Sequence, residues 1–89
     1  MAIPQFNEFC RRVCSVIRWK AARGPVADEL AAHLEDHAAA LEARGLDPET
    51  AARRAVEAMG DPYALGAELD AAHPPTLPRL SRVLLVLGL

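Results

Sequence analysis

The chain has 89 residues, a size that holds one domain with one modest core and leaves little room for a deep, preorganised catalytic cleft. Hydrophobic residues make up 52%, but many are alanines and only 4% of residues are aromatic, so packing must rest on Phe6, Phe9, Trp19, Tyr63 and the leucines. A net charge of −2 argues against nucleic acid as a partner, which calls for a dominant basic face.

Charge is unevenly spread. Residues 1–23 carry Arg11, Arg12, Arg18, Lys20 and Arg23 against the single acid Glu8, whereas residues 24–76 carry eleven acids against Arg44, Arg53 and Arg54. That asymmetry points to a basic first helix lying near acidic neighbours, or else to a patch for a membrane surface or partner. Two cysteines, Cys10 and Cys14, are too few and too close for a secreted disulfide framework, so a reducing, intracellular setting is expected. No secretory signal is read at the start, because Pro4, Asn7 and Glu8 interrupt the apolar residues there.

In chain order, Phe6, Phe9, Cys10, Val13 and Ile17 recur at spacings of three and four, which predicts a helix from Pro4 to about Arg23. Gly24-Pro25 is read as the stop of that helix and the start of a second one running to about Arg44. Val26, Leu30, Leu34 and Leu41 form the apolar stripe of the second helix, with His37 inside it and His33 at its edge. Gly45 is expected to cap it, and Asp47-Pro48 to open a short third helix ending near Met59. Gly60-Asp61-Pro62 repeats this punctuation ahead of a fourth helix to about Ala72. The fold class that follows is all-α: a small bundle of three to four short helices with a C-terminal apolar segment. Residues 1–73 form the bundle, 74–78 the proline-rich linker, and 79–89 the apolar segment. LSRVLLVLGL is shorter than the roughly 20 residues of a membrane span. It reads as the start of a transmembrane helix, or as a final helix packing on the bundle. Arg79 and Arg82 ahead of it favour a cytoplasmic position for the bundle.

Three sets of residues invite a functional reading. His33 and His37 stand four apart on one helix and Cys10 and Cys14 four apart on the preceding one, the spacing at which two helices supply a structural zinc site. A zinc-protease pattern is excluded, since it requires glutamate directly after the first histidine and Leu34 stands there. The plainer reading makes Cys10 a core residue, packs His37 at a helix interface with one ring nitrogen hydrogen-bonded, and leaves Cys14 and His33 at the border. The second set is Glu29, His33 and Asp36, which share one side of the second helix beside its core face and form a candidate docking edge. The third is the apolar run Val83–Leu89, a surface for self-association into a homo-oligomer. No phosphate-binding loop and no nucleophile in a motif context is present, so no enzyme activity and no cofactor is expected.

The order of ELAAHLEDH, then GLDPETA, then AVEAMGDPYAL resembles the permease prefix domain and the related histidine-kinase-associated α-helical (HAAS) signalling domains. The positions that match are Glu29, Leu30, His33, Gly45, Ala51, Ala55, Gly60, Asp61 and Pro62, within a similarity covering about residues 6–73. The resemblance implies a cytoplasmic, non-enzymatic regulatory domain ahead of the transmembrane segments of a bacterial, permease-like protein. Such domains are sometimes encoded near PadR-type regulators. It implies no catalytic residues, and Cys10, Cys14 and His37 fall outside its pattern. The expected partner is another protein or an adjacent membrane domain, at the cytoplasmic face of the cell membrane.

Overall fold

A computed structural model describes residues 3–72, which form four helices and no strand: α1 (Pro4–Cys14), α2 (Lys20–Ala43), α3 (Pro48–Met59) and α4 (Pro62–Ala71). The linker 74–78 and the apolar segment 79–89 lie outside the described residues, as does the question of how that segment packs. The all-α bundle expected from periodicity is what the chain forms.

The first helix boundary differs from the expectation. α1 stops at Cys14, where the Ser15 hydroxyl donates to the Arg12 carbonyl at 2.7 Å, and Val16 and Ile17 follow as β-branched residues with little helical preference. The turn they make lets α2 fold back along α1. Ile17 remains fully buried within that turn, so it belongs to the apolar pattern without belonging to the helix. Side chains from elsewhere satisfy the turn's backbone: the Arg23 Nε–H donates to the Ile17 carbonyl at 2.8 Å, and the Arg18 N–H donates to Asp70 Oδ1 at 2.9 Å.

Gly24-Pro25 does not separate two helices; α2 runs through it for 24 residues. Pro25 removes the bond to the Ala21 carbonyl, but both residues are exposed, where water can satisfy that oxygen. Gly24 has no Cβ for the proline ring to meet. The gain that outweighs the lost bond is the continuous stripe Ala22, Val26, Leu30, Leu34 and Ala38, all buried on one face.

The other helix ends follow their sequence signals. Gly45 has φ +104°, its N–H donates to the Glu42 carbonyl at 2.9 Å, and the Leu46 N–H reaches the Leu41 carbonyl at 3.3 Å. This is a Schellman motif, and Leu41 and Leu46 complete it by packing together against the core. Asp47 accepts from the Thr50 N–H at 3.1 Å and Asp61 from the Tyr63 N–H at 2.9 Å, each with proline at the next position.

The core contains no polar or charged residue among those described. Phe6, Phe9 and Val13 of α1 meet Leu30 and Leu34 of α2 and Leu65 and Leu69 of α4 in one cluster. α3 contributes the small face Ala51, Ala52 and Ala55 with Met59, which lets it lie close along α2. Trp19 and Tyr63, read from sequence as core anchors, are 44% and 50% exposed. Trp19 falls on the turn after α1 has ended, and Tyr63 sits in the first turn of α4 on the side away from Leu65 and Leu69.

α1 and α2 run antiparallel, with Cys14 opposite Arg23 and Cys10 opposite Ala27. α1 with its following turn runs parallel to α4: Val13 and Val16 lie against Gly66, and Arg18 meets Asp70. Gly66 makes this approach possible, since a Cβ there would run into the Val13 carbonyl oxygen and lie 3.0 Å from Val16 Cγ2. The α1–α2 turn and the end of α4 therefore share one end of the bundle.

Candidate functional site

The docking edge predicted on α2 is brought together. Glu29, His33 and Asp36 fall within about 60° of one another around the helix axis. Glu29 and His33 are half-buried at the border of the core, and Asp36 is exposed. His33 Nε2 lies 3.6 Å from Glu29 Oε1, too long for a hydrogen bond and within ion-pair range when the imidazole is charged. The strip is thus a short polar ridge beside the apolar residues Leu30 and Leu34.

The four proposed metal ligands are not brought together. The Cys10 thiol is directed at the Ala27 carbonyl at 3.7 Å and the Cys14 thiol at the Arg23 carbonyl at 3.4 Å. His33 and His37 sit about 9 Å and about 15 Å beyond Ala27 along α2, at 1.5 Å rise per residue, against metal–ligand bonds of about 2.0–2.3 Å. Among the described residues no group of three or more His, Cys, Asp or Glu side chains is placed to hold a metal ion. The thiols are also held protonated in the closed bundle. Burial pushes Cys10 up to about 11, with Cys14 and Asp28 adding to the shift, and burial raises Cys14 as well, against the opposing charge of Arg23.

His37 is half-buried, but its Nδ1 is enclosed and has no hydrogen-bond partner, unlike the satisfied ring nitrogen expected from sequence.

No family model matches this chain, and neither does any curated protein or any solved structure.

Two of the shallow surface grooves lie along α1. One, of about 450 Å³, lies between α1 and α2 and is lined by Asn7, Cys10, Cys14, Arg23, Ala27 and Ala31 among others. The other, of about 380 Å³, runs between α1 and α3 past Phe9, Arg12, Val56 and Pro62. Neither sets a nucleophile against a general base.

Several features of the surface have no counterpart in the sequence reading. Glu8 accepts from Arg11 Nε at 3.0 Å and Nη2 at 2.6 Å and from Arg12 Nε at 2.7 Å. These bonds, Arg11's first, hold the Glu8 carboxyl at about 2. Asp70, 13% exposed, takes both the backbone N–H and the guanidinium of Arg18, the latter at 2.8 Å. The basic first segment is thus compensated by its own Glu8 and by α4, where sequence reasoning placed it against acidic neighbours in general. The Glu8 fork was readable at spacings of three and four. Arg18 and Asp70, 52 residues apart, carry no local signal. Among the described residues no helix is long and apolar enough to cross a membrane.

Proposed function

We propose that this chain is a non-enzymatic, cytoplasmic interaction domain at the N-terminal side of a bacterial membrane protein, in the manner of the permease prefix and HAAS domains it resembles. The observation that carries this reading is the order of parts. Four helices close on an entirely apolar core, α4 ends at Ala71, and the sequence then passes through a proline-rich linker into an apolar run preceded by Arg79 and Arg82. Small size, shallow grooves and titratable groups on the outside suit a module that works by presenting helical surface. The ridge Glu29, His33 and Asp36 is the proposed docking edge for an adjacent membrane domain or protein partner.

The test uses the natural gene product carrying an N-terminal epitope in its host. The epitope is expected in the membrane fraction, resistant to protease in intact spheroplasts and digested in inverted vesicles. Recovery in the soluble fraction, or digestion in intact spheroplasts, overturns the proposal.

A further inference from the structure

Pro25 has no N–H to close onto the Ala21 carbonyl, so the hydrogen-bond ladder of α2 is interrupted one turn from its start. A Cβ at Gly24, beside it, would have no neighbour within 4 Å outside its own turn. A proline inside a helix, next to a glycine, is where helices bend. Residues 20–24 thus precede the weakest point of the α2 backbone.

The ties of that first turn lead away from the rest of α2. The Arg23 Nε–H donates to the Ile17 carbonyl at 2.8 Å, the Cys14 thiol to the Arg23 carbonyl at 3.4 Å, and the Ala22 N–H to the Trp19 carbonyl at 3.0 Å. These bonds join residues 20–24 to the α1–α2 turn. That turn is fastened to α4, because Asp70 accepts from both the Arg18 N–H and its guanidinium and Val16 packs against Gly66. Within residues 20–24 only Ala22 is buried, and alanine removes little area from water. Beyond Pro25, by contrast, Val26, Leu30 and Leu34 anchor α2 in the core. The first turn of α2 is therefore held to the α1–α2 turn and α4 by polar links, and to the remainder of its own helix by an incomplete ladder.

From this division we propose that Gly24-Pro25 is a hinge, about which the α1–α2 turn, the first turn of α2 and the last turn of α4 move as one unit. A displacement where the chain leaves α4 then reaches α2 at Gly24-Pro25. It alters the groove between α1 and α2, whose wall at that point is Arg23, Gly24 and Ala27. A hinge of this kind absorbs the change at a few residues while the packed segments on either side keep their contacts. The device is independent of the docking edge assigned above and needs no partner to operate.

Amide hydrogen exchange of the full chain, resolved residue by residue, tests the hinge, with Leu34 in the core of α2 as internal reference. Pro25→Ala supplies the missing N–H at an exposed position and stiffens the joint. Relative to Leu34, exchange at Ile17, Ala22 and Leu69 is expected to slow together by about fivefold, as one added hydrogen bond would do. Slowing in equal proportion at Leu34 would mean only a more stable helix and refutes the hinge, as does the absence of any change. Slowing at Ala22 without Ile17 and Leu69 refutes the moving unit, because those two amides lie outside α2. Asp70→Ala, compared with and without Pro25→Ala, provides the second arm. Removing the clamp should abolish the slowing at Leu69 and keep it at Ala22, and slowing at Leu69 that survives the loss of Asp70 overturns the link between α4 and the hinge.

Discussion

Replacing Gly66 with alanine sets two effects against each other, and the structure decides the sign. Gly66 lies inside α4, where alanine gains about 1 kcal/mol in helix propensity. By that measure the variant should be more stable. The new methyl group, however, would overlap the Val13 carbonyl oxygen and press on Val16 Cγ2 at 3.0 Å and Cβ at 3.1 Å. A backbone oxygen at the end of a packed helix cannot rotate away as a side-chain tip can. α4 must instead move from α1 by the order of 1 Å, loosening contacts around Val13, Leu65 and Leu69 and straining the Asp70 clamp. Overpacking of this kind costs about 2–3 kcal/mol, so the net effect is a destabilisation of about 1–2 kcal/mol. For a domain of this size that lowers Tm by about 5–15 °C. Thermal and urea unfolding followed by far-UV circular dichroism measures it, with Ala67→Gly as a control for propensity alone on the exposed side of α4. An unchanged or raised midpoint for Gly66→Ala would mean that α4 is not held at this distance from α1.

Three further outcomes follow from the contacts described. Asp70→Ala removes both bonds to Arg18 and should cost more than Asp70→Asn, which keeps an acceptor for the Arg18 N–H; about 1 kcal/mol, the worth of that one hydrogen bond, separates them. Equal losses would show that the bond from the Arg18 N–H contributes nothing beyond the charge. Because Arg11 and Arg12 depress Glu8 from 4.5 to about 2, its contribution is complete above pH 4.5 and lost as pH falls toward 2. Glu8→Gln should therefore flatten the stability profile within that window, and a parallel profile refutes the link. Chelation should leave the melting curve unchanged and thiol alkylation should await unfolding, given the separation of Cys10 and Cys14 from His33 and His37 and the burial of both thiols. One equivalent of bound zinc whose removal lowers Tm would restore the metal reading.

Local signals were legible wherever the deciding interactions were local. Gly45, Asp47-Pro48 and Gly60-Asp61-Pro62 specify their turns through hydrogen bonds spanning a few residues, and the structure keeps all three. Gly24-Pro25 carries equally strong punctuation, yet the helix continues through it, because burial of Ala22 and Val26 on one stripe outweighs one exposed carbonyl. Whether a proline breaks a helix depended on what that stripe packs against, which spacing along one helix does not encode. The same limit applies to the turn at residues 15–19. Ile17 continues the three-and-four pattern of α1 and is buried as the pattern requires, so periodicity carried the helix too far although it identified the core residue correctly. His33 and Cys14 show the limit for sites. A four-residue spacing places a pair on one face, but only the antiparallel register of α1 and α2 determines that the thiols meet Arg23 and Ala27 and not the imidazoles.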